Sequence, residues 1–303
     1  MDPASELRRL FEEALLLLEV RGVRHGSTRE LANGIQAELI APSGGVCRCN
    51  FYYSSRKGFS VIPSGGDPEA TGLVMEIMTG SSPTDPDLSR IGSDEAGKGD
   101  YMGPLTVGAV YAARGMSREL RDLGAVDSKK LGNVRLRGIA ERIRTRFPGC
   151  FHVVSVMPDE YNRRMETLKE SGKNSLYLLA QCHAEAVSEL LSRGLEPDLV
   201  VIDRFCAPSR MEPLLPHGSY RLEMPVGGES DPVVAAASIL ARDAYLAGLD
   251  ELGSRWGGRT AAGAGAPTDR VAAALVEAHG PAVLRQVAKL HFRNTLKILG
   301  ADT

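Results

Sequence analysis

The stretch "RIGSDEAGKGDYMGPL" (90–105) sets two acids, Asp94 and Glu95, side by side at the end of a short apolar strand, then adds Gly97-Lys98-Gly99. Adjacent carboxylates repel, and glycines weaken regular structure. Their pairing points to a turn that needs negative charge and a backbone open to close approach. Two more acids stand at comparable places. Asp203 ends "DLVVID" (198–203), a continuous apolar run of the kind found in buried central strands. The carboxyl end of such a strand is where open α/β sheets place their sites. Glu229 sits on a Gly-Gly turn before "SDPVVAAASILARD", where Ser230 or Asp231 can cap a helix and Pro232 suits its first turn.

Each acid alone has a bland reading. Asp94 or Asp203 could be a cap or turn residue, and Glu229 a first-turn acid answering a helix dipole. Together they suggest carboxylates that converge. Such groups raise one another's pKa unless a divalent cation neutralises them, and oxygen-only ligands suit Mg²⁺ or Mn²⁺. Two ions of this kind would activate a water and steady the leaving oxygen of a phosphodiester. The glycine turn is neither a P-loop nor the dinucleotide fingerprint, since its glycines read G-x-G-x-x-x-G. Kinase and dehydrogenase readings lose their main support. Bare glycines would let backbone groups reach a sugar edge, and Lys98 would meet phosphate.

The elements that position these residues fall into two parts. Residues 5–21 carry helical periodicity, followed by strand-like runs at 34–41, 46–53 and 58–63 with turns at 42–45 and 54–57, and a helix over 67–78. The polar segment 79–90, with two prolines, reads as a linker. The expected domains are 1–85 and 86–303. Beyond it, strands at 105–112, 151–157, 198–203 and 220–225 alternate with helices near 116–123, 132–147, 159–169, 174–193, 231–252, 268–279 and 281–290. That alternation predicts an α/β layer with a partly parallel sheet. The Gly/Ala-rich segment 257–270 is expected to be a mobile loop.

Composition sets wider bounds. Across 303 residues, 43% are apolar and only 5% aromatic, so the core should be aliphatic. No run of about 18 apolar residues argues for a membrane span. Five scattered cysteines predict free thiols in a reducing compartment, hence the cytoplasm. Cys47 and Cys49 share one strand face but have no second pair to complete a zinc site. The net charge is −2, yet residues 21–60 carry 6 basic against 2 acidic side chains, within a segment 1–89 that carries 8 against 12. Arg56 and Lys57 lie at a hairpin tip beside Phe51, Tyr52 and Tyr53, a mix that suits backbone tracking or simply a half-buried sheet. His183 reads as structural, Tyr177 and Trp256 as core or lid residues. No large apolar stripe is left over, which favours a monomer.

"GSDEAGKGDYMGPL" closely resembles the first motif of the type 2 ribonucleases H, and its Gly-Lys-Gly turn resembles the ribonuclease HIII branch. "DSKKL" (127–131), "YN" (161–162), "VVIDRF" (200–205), "AAASILAR" (235–242), "GAGAPTD" (263–269) and "AKLHFRNT" (288–295) match in the same order. The resemblance covers about 91–300. It implies an RNase H-like mixed sheet flanked by helices, and endonucleolytic cleavage of the RNA strand of RNA–DNA hybrids by two metal ions, giving 5′-phosphate and 3′-hydroxyl ends. By matching position the metal-binding acids are Asp94, Glu95, Asp203 and Glu229. The chain is one residue shorter than usual between Glu229 and "VVAAAS", so Asp231 competes for the fourth place. Gly97, Lys98 and Gly99 would meet the 2′-hydroxyl of the hybrid. Ser128, Lys129 and Lys130 would face phosphates. The N-terminal part resembles, in pattern, the small α+β TATA-binding-protein-like domain of this branch, which would bind substrate. His291 either lies near the site or packs under the terminal helices. A non-catalytic hybrid binder and a DNA nuclease of the same fold remain the alternatives.

Overall fold

The computed structural model describes residues 3–54, 58–79, 88–125, 128, 131–257 and 260–300. The chain divides into two compact units, 1–85 and 86–303, each with its own apolar core. In the first, helix α1 (Pro3–Val20) precedes an antiparallel sheet of β1 (Arg24–Leu31), β2 (Gly34–Ile40), β3 (Val46–Ser54) and β4 (Gly58–Gly66), and α2 (Pro68–Thr79) follows. Leu7, Phe11, Ala14 and Leu18 recur at helical spacing and are buried. They meet Cys47, Cys49 and Phe51, which alternate inward from β3. All five cysteines of the chain are free thiols. Asp67 caps α2 by accepting from Ala70 N at 2.8 Å.

The sheet has four strands where the pattern predicted three. β1, "RHGSTREL", is polar, largely exposed and pairs with β2 alone, so no apolar alternation marks it. On the outer face, Gln36 donates to Asn50 Oδ1 at 2.9 Å and to Ser64 Oγ at 3.3 Å, which ties β2, β3 and β4 together.

The second unit is a five-stranded mixed sheet in the order β7 (Phe151–Val156), β6 (Leu105–Ala112), β5 (Arg90–Ala96), β8 (Leu199–Ile202) and β9 (Arg221–Glu223). β5 runs parallel to β8 and antiparallel to β6. α3 (Met116–Asp122) and α4 (Asn133–Arg146) follow β6. α5 (Pro158–Glu170) and α6 (Ser175–Ser192) follow β7, and the single turn α7 (Pro208–Met211) follows β8. α8 (Pro232–Trp256), α9 (Ala266–His279), α10 (Val283–Val287) and α11 (Arg293–Ile298) complete the chain.

α6 packs on one face of the sheet through Leu178, Ala186 and Val187. α8 packs on the other, and there the approach is unusually close. A Cβ added to Gly92 would lie 2.5 Å from Val234 N, and one added to Gly108 would lie 2.3 Å from the Ala237 carbonyl oxygen. Helix backbone therefore rests on strand backbone with no side chain between them. By length and composition α8 could cross a bilayer, but most of its apolar stretch is buried in this core.

Four further expectations need correction. The helix predicted over 281–290 stops at Val287, because Ala288 forms a bridge with Met102 instead. The segment 257–270 is anchored where it is described: Tyr101 N donates to Gly263 O at 2.9 Å, Gly263 N donates to Asp100 Oδ1, and α9 begins at Ala266. The strand predicted over 220–225 shrinks to the three residues of β9, and α11 appears where no helix was expected.

Candidate active site

Alternation along β5 sends neighbouring residues to opposite faces. Asp94 follows Gly92 on the α8 face, while Ser93 and Glu95 face α6. Ser93 lies opposite Ile202 in the parallel pair, and Asp203 N donates to Ser93 O at 3.2 Å. Asp203 thus emerges beside Asp94 at the carboxyl edge of two adjacent strands. Gly228 N donates to Asp203 Oδ1 at 2.7 Å, which brings the tight turn Gly228–Ser230, and with it Glu229, against Asp203.

The competitor Asp231 is committed elsewhere. Its Oδ1 caps α8 by accepting from Val233 N at 2.7 Å, and its Oδ2 accepts from Arg90 Nη1 at 2.8 Å in a fully buried ion pair.

A cleft of about 420 Å³ collects Asp94, Glu95, Gly97, Lys98, Gly99, Ser128 and Asp203. Asp100, Asn133, Ser238, Arg242 and Tyr245 line it as well. Glu229 stands next to this lining through Asp203 and is not part of it. Ser128 is buried and hydrogen-bonds Ser238 Oγ at 2.9 Å, and Ser238 in turn hydrogen-bonds Asp94. Ser128 therefore reaches the acid through Ser238. Lys129, Lys130, Arg56 and Lys57 lie outside the described residues.

The electrostatics separate the two adjacent acids. Burial, then the charges of Glu95 and Asp203, push Asp94 up to about 7 despite its bonds from Ser238 and Glu95 N. Glu95 moves the opposite way. Burial pushes it up, but the hydrogen bond and charge of His183, then Lys98, outweigh that and hold it low. Lys98 Nζ lies 3.1 Å from Glu95 Oε1, and His183 Nε2 lies 3.3 Å from Oε2.

His183 was read as structural and sequence reasoning missed its role. It is fully buried, its Nδ1 lies 2.8 Å from Ser93 Oγ, and the Ser93 hydroxyl donates to Gly108 O. Phe205 stacks on its ring at 4.9 Å, and Lys98 lies over the far ring. The partners of His183 are 88 and 90 residues away in sequence, so no local signal could mark it. Ser238 and Arg242 carried a signal, since both fall in "AAASILAR". His291 stacks on Tyr161 at 5.5 Å and abuts Phe292, packing under the terminal segment and not lining the cleft. Tyr177 and Trp256 do not line it either.

The donor set at the sheet edge is oxygen only, and burial with two acidic neighbours pushes the Asp94 carboxyl up. A hard divalent cation supplies what that arrangement lacks. Among the described residues, no three His, Cys, Asp or Glu side chains are drawn together into a ready-made cation cage. The acids share an edge and a cleft, and the residue types fit an ion that gathers them.

Residues 91–295 match a family model described as ribonuclease HII. A ribonuclease HIII from Streptococcus mutans is 34% identical over 216 residues, 70% of this chain and 70% of its own length. One from Streptococcus thermophilus is 35% identical over 221 residues, 71% of this chain and 73% of its own. Among solved structures, Bst-RNase HIII in complex with Mn²⁺ superposes with a TM-score of 0.67 at 27% identity, covering 97% of this chain and 96% of that one. Ribonuclease H2 from Pyrococcus horikoshii, at 21% identity and a TM-score of 0.60, shares the fold over 71% of this chain.

Proposed function

This chain belongs to the ribonuclease HII family, in its ribonuclease HIII branch, and is a ribonuclease H; from that premise we propose how its own residues cut the RNA strand of an RNA–DNA hybrid. Asp94, Glu95, Asp203 and Glu229 hold two Mg²⁺ or Mn²⁺ ions, and the products carry 5′-phosphate and 3′-hydroxyl ends. The observation that carries this reading is the meeting of Asp94 and Asp203 at one sheet edge, with Asp94 pushed up by burial and by its acidic neighbours. When bound, the ions supply an activated water and charge neutralisation at the scissile phosphate.

The chain's residues do the rest. His183 and Ser93 fix the orientation of Glu95. Lys98 tethers the glycine turn to Glu95 and presents an ammonium to the substrate backbone. At Gly99 a Cβ would meet nothing within 4 Å, so the fold itself does not require glycine there and the space is open to a ligand. Backbone groups of Gly97, Lys98 and Gly99 meet the 2′-hydroxyl in the wide minor groove, which distinguishes RNA from DNA. Such contacts ignore base identity, so cleavage is nearly independent of sequence. Ser128, Lys129 and Lys130 approach phosphates. The N-terminal unit, with Arg56 and Lys57, adds backbone contacts as a TATA-binding-protein-like module. The protein works as a cytoplasmic monomer.

A labelled RNA–DNA hybrid, incubated with Mg²⁺, with Mn²⁺ and with EDTA beside an all-DNA duplex, tests the reading. Metal-dependent cleavage of the hybrid alone is expected, and Asp94→Asn should abolish it while hybrid binding survives. Cleavage of the all-DNA duplex, or a fully active Asp94→Asn, would refute it.

A further inference from the structure

Lys289 is a cation with no exposed surface, and no step described above uses it. Its Nζ donates to Asp100 O and to Gly103 O, each at 2.8 Å. Both acceptors belong to the loop that leaves β5 through the Gly97-Lys98-Gly99 turn and returns to β6. The backbone reinforces the same junction. Lys289 N donates to Tyr101 O at 2.9 Å, Gly103 N donates to Val287 O at 3.0 Å, and Tyr101 Oη pairs with Thr295 Oγ1 at 3.0 Å. Asn162 locks the other side by donating to Ala288 O and accepting from Leu290 N.

We infer that Lys289 is a positioning residue: it grips the rear of the substrate-facing turn through the Asp100 and Gly103 carbonyls and so sets where that turn meets the hybrid. Backbone bonds fix the register of the loop, and the Lys289 amine adds the side-chain donors that meet its Asp100 and Gly103 carbonyls. Gly97 has a positive φ of 81°, and a Cβ there would lie 2.2 Å from Pro104 O, so the turn folds back tightly on its own return strand. Both carbonyls face the fully buried Lys289 side chain, and the bond to Gly103 O is itself buried, so water does not readily replace that donor. An unpartnered buried carbonyl is costly, so the loop must move if the donors go. Burial pushes Lys289 down to about 7, with the Asp100 charge opposing. Two acceptors need only two N–H bonds, so the grip holds whether the amine carries two hydrogens or three. The apolar stem passes Tyr161, whose ring lies 5.8 Å from Nζ.

The inference rests on the reading that the glycine turn contacts substrate, and the test separates the two. Lys289→Met keeps length and burial but removes every donor, while Lys289→Gln keeps a polar group with a shorter reach. Each full-length variant is compared with wild type by amide hydrogen exchange over residues 97–103 and by hybrid KM and kcat. Faster exchange confined to that loop, with KM raised about tenfold in Lys289→Met and less in Lys289→Gln, is the expected result. Unchanged loop exchange overturns the grip. Faster exchange with an unchanged KM overturns the role in substrate placement and, with it, the turn's contact with the hybrid. If Lys289→Met does not fold, Lys289→Gln and the milder Thr295→Val, which loosens the same loop through Tyr101, decide by the same two readouts.

Discussion

Replacing Gly92 with alanine adds one methyl group where α8 leaves no room. The new Cβ would lie 2.5 Å from Val234 N and 2.6 Å from the Val233 carbonyl carbon, whereas ordinary contact begins at 3.4 Å. Both obstacles are backbone, so no side chain can rotate away, and α8 must retreat by about 1 Å in a close-packed interior. Overpacking of this kind costs about 1–3 kcal/mol. α8 carries Ser238, which bonds Asp94, and begins at Asp231, which pairs with Arg90, so the retreat also disturbs the acid edge. A displacement near 1 Å at a catalytic group lowers turnover by roughly a hundredfold. Urea unfolding gives the first quantity, and the initial rate on saturating RNA–DNA hybrid gives the second. Gly138→Ala on α4 is the control, because a Cβ there meets nothing within 4 Å. It should stabilise by about 0.5–1 kcal/mol. If Gly92→Ala unfolds within about 0.5 kcal/mol of wild type and cleaves at its rate, the close helix-on-strand packing does not position the site.

Glu229→Gln should lower turnover about 10–100-fold or more without changing the urea midpoint. Asp231→Asn should instead cost about 3–5 kcal/mol of stability, since it leaves Arg90 buried and uncompensated; the opposite pattern would exchange their roles. His183→Leu should reduce activity about 10–100-fold and raise the Mn²⁺ concentration for half-maximal rate, with hybrid KM unchanged. In EDTA, the raised Asp94 pKa means the folded state keeps this proton longer than the unfolded state does. Its contribution is complete below the ordinary value of 3.8 and is lost as pH rises toward about 7. Thermal melts of wild type should fall relative to Asp94→Asn across that window, and parallel curves would show that burial does not perturb the acid.

The acids at the strand ends were legible because burial and alternation write themselves locally. An apolar run ending in an acid marks Asp203, and the Gly-Gly turn before a capped helix marks the region of Glu229. The choice between Glu229 and Asp231 was not legible, because Arg90 claims Asp231 from 141 residues away. His183 looked like any histidine on an Ala-rich helix, since only the folded sheet puts Ser93 and Glu95 against it. β1 escaped for a different reason: an exposed edge strand needs neighbours for hydrogen bonding but has no apolar face to declare. The end of the predicted helix over 281–290 likewise depended on Met102, a partner that periodicity cannot see.

The bond from Lys289 to Gly103 spans 186 residues. A chain made in order, at about 5–20 residues per second, completes β5 and its glycine turn roughly 10–40 s before the lysine that secures them is synthesised. Throughout that interval the Asp100 and Gly103 carbonyls lack the amine that meets them in the finished fold. By the role inferred for that lysine, a product truncated ahead of it would keep all four acids and lose the side-chain grip on the turn that faces the hybrid.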